Sequence, residues 1–509
     1  MMIDRLWPGV AALAAGSPAR ASVDEKIDAL VSPVATAVQH IILYPLPLGE
    51  AEVPFVVAWL VIAATVFTLF FGFINLRGLR QGFRLIRGDY NDHRHIGEVT
   101  HFQALATALS GTVGLGNIAG VAIAVSVGGP GAVPWMMVAG FLGMSSKFCE
   151  CTLGVKYRIE HRDGSVSGGP MWYLSRGLAD RGPVLARVGK FGATMFAAFA
   201  VAASFGGANM FQANQSFEQF TTITGGDASW WVGKGWLFGM LLATLIGLVI
   251  LGGIRSIARV ASKIVPVMAA IYVLAAVVIV MVNIDRLPEA FALMFSGMFG
   301  IESVAGGTLG VLAVGFQRAA FSSEAGVGLA AITHSAVRTN EPVTEGLVAL
   351  YEPFIDTVIV CTLTGLVIVL SGAYLETAEM SGVALTSRAF ETVIGWFPFV
   401  LAIVVMLFAF STMIAAAYYG MKSWTYLFGK SKRTETVYKA LFLVFVVIGS
   451  AMQLGAVIGF SDAVLLAVAF PNILGMYFLM PKVKEELRAY MQRIRAERSE
   501  PRMNSDERG

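Results

Sequence analysis

Charge is what this sequence has least of. Asp, Glu, Lys and Arg make up 14% of its 509 residues, against about 25% in soluble proteins, a deficit too large for a water-facing surface. The net charge is only +3, and no basic stripe with interleaved aromatics appears, so nucleic acid is not expected as a partner. Cysteine is scarce as well. Cys149, Cys151 and Cys361 lie in or near apolar runs, and the first two would point to different sides of a helix. Neither a disulfide framework nor a zinc site fits that spacing, and the three read as small buried thiols. The six histidines are scattered. No paired nucleophile and base, and no metal cluster, speaks for an intramembrane enzyme, and no filter-like loop speaks for a channel.

Apolar residues and glycine are abundant instead. Residues of the hydrophobic class make up 56% of the chain, with 55 glycines and a mean hydropathy of +0.69. Long apolar runs are spread evenly along the chain, which argues for one bundle in a lipid bilayer rather than several soluble domains. The expected fold class is an all-α integral membrane protein of about 11 transmembrane helices. A spanning helix needs about 20 mostly apolar residues. Candidate spans fall near 53–75, 103–127, 132–156, 191–212, 235–254, 262–283, 288–316, 345–370, 392–420, 437–457 and 461–481.

Orientation follows from Lys and Arg in the short loops, which collect on the cytoplasmic side. The segment after the first span carries Arg77, Arg80, Arg84, Arg87 and Arg94. Alternation then puts on the same side Lys156 with Arg158, Arg255 with Arg259 and Lys263, Arg318 with Arg338, and Lys422 with Lys430, Lys432 and Arg433. The charged tail 482–509 falls there too, its first part as a surface helix and its end as a disordered stretch. The expected location is the inner (plasma) membrane, with the N-terminus outside and the C-terminus cytoplasmic. Residues 1–52 form an outside segment. Within it, Leu6 to Ala15 and then Ala19-Arg20-Ala21 have the outline of a signal sequence, against which Pro8 and the weak hydrophobicity count.

The second span contains Ser110-Gly-Thr-Val-Gly-Leu-Gly-Asn-Ile-Ala-Gly120. Each glycine costs about 1 kcal/mol of helix propensity relative to alanine. Non-helical backbone at this depth survives only inside protein or beside a wet cavity. Close packing through Gly116 and Gly120 is the plainer reading; Asn117, a mid-bilayer amide that needs partners, favours an unwound segment holding a ligand. A half-helix starting near Asn117 presents free N–H groups and a positive dipole end to a substrate carboxylate, while unwound carbonyls suit a sodium ion. Five spans later, Gly306, Gly307 and Gly310 cluster beyond Pro288 and Glu302. Two broken helices five spans apart are what an inverted repeat predicts. One extra helix, 53–75, would then precede repeats 103–283 and 288–481.

Other polar residues lie at membrane depth. Asn209 and Gln212 share a helix face and fit either a substrate or a neighbouring helix. Ser411 and Thr412 fit either a site or bonds to their own backbone. Asp356 fits a functional acid or a structural partner. Lys147 and Glu150 read as a local ion pair. Phe321-Ser-Ser-Glu-Ala-Gly-Val-Gly328 fits a second break or a loop, and Arg318 beside it favours the loop.

Gly111-Thr-Val-Gly-Leu-Gly-Asn-Ile-Ala-Gly120 with Gly128-Gly-Pro-Gly131 resembles the alanine or glycine:cation symporter family. So do Met144-Ser-Ser-Lys-Phe-Cys-Glu150, Gly168-Gly-Pro-Met171, Phe321-Ser-Ser-Glu-Ala-Gly326, Asp356-Thr and Tyr418-Tyr-Gly420, in a match from about Gly97 to Gly429. The resemblance implies a LeuT-like five-plus-five fold and uptake of a small neutral amino acid, alanine or glycine, with sodium as coupling ion. Proton coupling is the alternative, with Asp356 or Glu302 as carrier. It implies a sodium site at Ser110, Val113, Ser411 and Thr412. Substrate contacts would come from Gly114, Gly116, Asn117 and Gln212, with Gly306, Gly307 and Thr308 as the opposing break. Family members often carry a bulky aromatic shortly before Tyr418, where this chain has Ala415-Ala-Ala417, which implies room for a somewhat larger side chain. The oligomeric state is not legible.

Overall fold

The computed structural model describes residues 22–48, 51–89, 96–162, 164–300, 307–376 and 382–499. Almost all of it is helix. Among the described residues the only strands are two short hairpins, Pro45–Leu48 with Ala51–Pro54 and Ile159–Glu160 with Val166–Ser167. Among the described residues six helices are long and apolar enough to cross a bilayer: Pro183–Ile223, Gly253–Val282, Pro342–Ser371, Phe397–Phe428, Lys432–Ala451 and Leu454–Ala496. The pair His101–Thr112 and Gly116–Gly128, bent by 52°, makes a seventh. Phe55–Phe70 and Gly235–Ile250 are shorter apolar helices, and Ala132–Lys156 is long but carries charge.

Local chemistry sets many helix starts. Thr100 accepts from the Gln103 N–H while the Gln103 side chain accepts from the Thr100 N–H, a capping box that opens His101–Thr112. Ser22 with Glu25 and Ser431 with Thr434 do the same for Val23–Ile42 and Lys432–Ala451. Pro183 and Pro342 occupy first-turn positions, where the missing N–H costs nothing. The outward faces are apolar: Leu274, Met281 and Val282 on one helix, Leu245 and Leu248 on another, and Ile403 on a third are exposed. Such a belt is what a bundle shows to lipid. A few charged residues, Lys147, Glu150, Arg318 and Glu352 among them, are buried instead, where a soluble protein seldom places them.

Two chain breaks organise the interior. The first falls at Val113–Leu115, where Val113 takes an extended conformation and the chain resumes as a wide, π-type turn, Gly116–Gly120, before Val121–Gly128. Gly120 N–H reaches back five residues to the Leu115 carbonyl at 3.0 Å.

The second break corrects the sequence reading. The stretch expected to span at 288–316 is not one element. Leu287–Met298 ends at Phe299, and a separate helix runs Gly307–Ser323. The chain then breaks at Glu324–Leu329 and resumes as Ala330–His334. Glu324, Gly326 and Gly328 all take positive φ (53°, 86° and 92°), and three left-handed residues in five cannot continue a right-handed helix. Arg318, taken as a loop marker, is buried within the helix and ion-paired with Asp462. The tail is helical through Ser499. The outline of a signal sequence, which depends on residues 1–21, and the end of the tail lie outside the described residues.

The ends of these elements are tied together. Arg158 donates to the carbonyls of Ser335 (3.1 Å), Val337 (2.7 Å), Ile96 (2.9 Å) and Thr339 (2.9 Å). One guanidinium thus gathers the approach to the first broken helix and the exit from the second. A second tie is fully buried. His101 bonds Glu345, His334 bridges Glu345 (2.5 Å) and Glu352 (2.5 Å), and Lys147 pairs with Glu352 at 3.0 Å. Lys147 therefore pairs across to another helix, not with Glu150 as its spacing suggested; Glu150 accepts instead from Asn472. This chain of buried side chains joins both broken helices to Ala132–Lys156 and to the helix from Pro342. The free thiols Cys149, Cys151 and Cys361 are buried.

Candidate functional site

The two breaks meet. A Cβ on Gly116 would sit 3.1 Å from Ser322 Cα, so glycine is what permits the first broken helix to touch the second. Asn117 connects them chemically. Its Oδ1 accepts from the Gly114 N–H (2.9 Å), satisfying an amide the break has freed. Its Nδ2 donates to the Asp356 carboxylate (2.7 Å) and carbonyl (2.9 Å). Ser322 (2.8 Å) and Thr357 (2.7 Å) donate to the other carboxylate oxygen. Asp356 thus holds the first break and the last turn before the second. It sits in another π-type segment, Phe354–Cys361.

Gln212 closes a second side. Its Oε1 accepts from the Leu115 N–H at 3.1 Å, and its Nε2 donates to the Gly207 carbonyl at 3.2 Å. Gly207 belongs to a further π-type segment, Gly206–Met210. Three such segments, uncommon in proteins and frequent at functional sites, therefore surround one point. Asn209 points elsewhere and donates to the Phe442 carbonyl of a neighbouring helix (2.8 Å), which decides between its two readings.

Between these elements lies a small cavity of about 10 Å³, room for about one water. Gly116, Gln212, Thr412, Phe321 and Glu324 are among its lining residues. Thr412 is buried and its hydroxyl has no hydrogen-bond partner. A Cβ on Gly114 would lie 2.5 Å from that hydroxyl. Ser411 donates to the Phe408 carbonyl (2.9 Å), which leaves its lone pairs as acceptors. Ser110 donates to the Ser411 carbonyl at 2.7 Å, and Val113 is buried in the break itself. The Val383–Glu391 helix covers the first break, with Thr386 donating to the Ile118 carbonyl at 3.0 Å.

The structure thus gathers Ser110, Gly114, Gly116, Asn117, Gln212, Asp356, Ser411 and Thr412 around one locus. Gly307 and Thr308 are not part of it. They open the helix Gly307–Ser323, about 20 Å from its last turn at 1.5 Å per residue, and Gly306 lies outside the described residues. Ser322 and Glu324 lie in the stretch that the sequence offered as a second break or a loop, and they were not counted in the site. Their signal was present: hydroxyls followed by a polar residue and spaced glycines, as in the first break.

Two interrupted helices meeting at a small polar cavity, inside a bundle with an apolar exterior, define a membrane transporter. The crystal structure of MhsT in complex with L-phenylalanine aligns over 76% of this chain and 99% of that one, with a TM-score of 0.51 and 14% identity, which shows a LeuT-like fold. The chain belongs to the sodium:alanine symporter family, whose profile matches residues 48–505. It is 36% identical to the sodium/alanine symporter AgcS of Methanococcus maripaludis, over 86% of this chain and 94% of that one. It is 33% identical to the probable sodium/glutamine symporter GlnT of Bacillus subtilis, over 84% and 86%. With the amino-acid carrier protein AlsT of the same organism the identity is 34%, over 80% and 83%. Its class is that of a secondary transporter, not an enzyme.

Proposed function

We propose that this protein imports a small neutral amino acid together with sodium by alternating access. The observation that carries this reading is the unpartnered Thr412 hydroxyl against Gly114 of the first break, beside a cavity that Gln212 and Gly116 also line. Oxygen ligands suit sodium, and the carbonyls of Ser110 and Val113 with the hydroxyls of Ser411 and Thr412 supply them. The Gly114 and Leu115 amides, now bonded to Asn117 and Gln212, and the half-helix beginning at Gly116 would receive the substrate carboxylate. Asp356, bonded to both breaks, is the group through which occupancy of one would be felt at the other. The amide and hydroxyls around it all donate, which fits a fixed carboxylate.

The architecture proposed is eleven spans: the extra helix expected at 53–75, seen as Phe55–Phe70, and two five-helix repeats, whose odd number inverts the second against the first. The N-terminus would be outside and the C-terminus cytoplasmic. One sodium is energetically enough. A neutral zwitterion moving with one sodium carries one charge, worth about 2.3 kcal/mol per 100 mV. A tenfold sodium gradient adds about 1.4 kcal/mol, and together they support roughly 500-fold accumulation.

The test is uptake of labelled L-alanine into proteoliposomes, with sodium replaced by potassium at fixed pH and membrane potential. Concentrative uptake is expected only with sodium. Uptake indifferent to sodium but driven by a pH gradient would move the coupling to protons, with Asp356 as the candidate carrier.

Substrate size gives a second prediction. Ala416 is buried one helical turn beyond Thr412, so a large side chain there would reach toward the cavity. Wild-type uptake of L-alanine should be inhibited by L-glutamine as well as by L-alanine. Ala416→Trp should weaken glutamine inhibition by about tenfold while sparing alanine, the scale of a steric change in a pocket. Equal inhibition before and after the substitution would show that this alanine run does not set the size limit.

A further inference from the structure

Glu324 is the unclaimed charge of this site. It opens the second break in a left-handed conformation (φ 53°), is only 3% exposed, and lines the cavity with Gly116, Gln212 and Thr412. Its Oε2 has no hydrogen-bond partner, and among the described residues no Lys, Arg or His comes within ion-pair distance of it. Glu150 also keeps one oxygen without a partner, but it is not among the residues lining the cavity; four other buried acids are provided for. Glu352 has Lys147 and His334, Glu345 has His101 and His334, Asp356 has three donors, and Asp462 has Arg318 and Gln317. Lys147 lies 3.0 Å from Glu352, so that cation is engaged elsewhere.

A buried carboxylate without a partner is strongly unfavourable. A carboxylate facing a cavity is relieved when the cavity's ligand is a cation. The two breaks offer complementary chemistry. The first offers amide N–H groups and a helix start, both suited to a carboxylate; the second offers Glu324, suited to an ammonium. We propose that Glu324 is the counter-ion of the substrate α-ammonium group and restricts transport to molecules carrying a protonated amine beside their carboxylate. This rests on the reading of the cavity as an amino-acid site. It adds the discrimination of amino acids from hydroxy acids and simple carboxylates of the same size. L-lactate matches L-alanine in shape but lacks the charge, so it leaves Glu324 buried and unpaired, and a site built for a polar partner rejects such an analogue strongly.

The experiment measures equilibrium binding of labelled L-alanine to the full chain in detergent at saturating sodium, with L-lactate and propionate as competitors. Wild type should prefer L-alanine over both by at least about a hundredfold. Glu324→Gln should lose at least about thirtyfold in L-alanine affinity while its affinity for L-lactate holds or rises. The rise in melting temperature on adding sodium should be unchanged. Retention of L-alanine binding by Glu324→Gln would overturn the proposal. So would loss of the sodium-induced thermal shift in that variant, which would make Glu324 a sodium ligand. If the variant fails to fold, the wild-type competition decides, and L-lactate competing as well as L-alanine overturns the proposal. A wild type that binds no amino acid in sodium would instead overturn the functional reading beneath it.

Discussion

Thr412→Ala is expected to uncouple this protein from sodium. The hydroxyl is buried, has no protein partner, and approaches the backbone of Gly114 in the first break. Removing it therefore breaks no internal hydrogen bond, and stability should change little. A bond from a neutral group to a charge contributes about 1.5–3 kcal/mol, so the sodium concentration giving half-maximal uptake should rise by roughly ten- to a hundredfold. The measurement is the sodium dependence of labelled L-alanine uptake, together with the melting temperature with and without sodium. Thr412→Ser, which keeps the oxygen, should remain close to wild type. A normal sodium dependence in the alanine variant would remove Thr412 from the ion site. A large fall in the sodium-free melting temperature would point to a structural role instead.

Glu352→Gln should have the largest effect on stability. Glu352 pairs with Lys147 and bonds His334, and all three side chains are fully buried. Neutralising it leaves Lys147 in a low-dielectric interior without its ion-pair partner. Breaking a buried pair from one side costs about 3–5 kcal/mol. A marked drop in melting temperature in detergent is expected. Lys147→Met in the same variant should restore a substantial part of it, since removing both charges leaves neither of them buried without its partner. Additive losses in the double variant would show that the two residues do not act as a pair. The location of the chain gives the result functional weight. It joins both broken helices to Ala132–Lys156 and the Pro342 helix, and under the alternating access proposed above these four would move as one body against the rest.

The legibility of this site in the sequence was uneven. Gly111 to Gly120 stood out because glycines and an asparagine crowd a stretch shorter than one span, and the chemistry of a break is local. Gln212 and Thr412 were visible as polar residues in apolar runs, but each fitted a site or ordinary helix bonding, and only contacts decide. Asn209 and Gln212, three residues apart on one face, separate for this reason: one meets a helix carbonyl and the other an amide freed by the break. The second break was misread because Arg318 looked like a loop residue. A charged side chain reads as exposed unless its partner is known, and that partner, Asp462, lies far along the chain.

The sequence by itself determined the environment and one half of the site. Scarce charge, evenly spaced apolar runs and the glycine cluster act through composition and short-range backbone chemistry, which need no knowledge of distant residues. Only the tertiary structure decided where the second helix breaks, which helices Lys147 and His334 join, and that Glu324 faces the cavity unpaired. Those are statements about partners. A buried charge takes its meaning from what the fold brings next to it, and from what it does not.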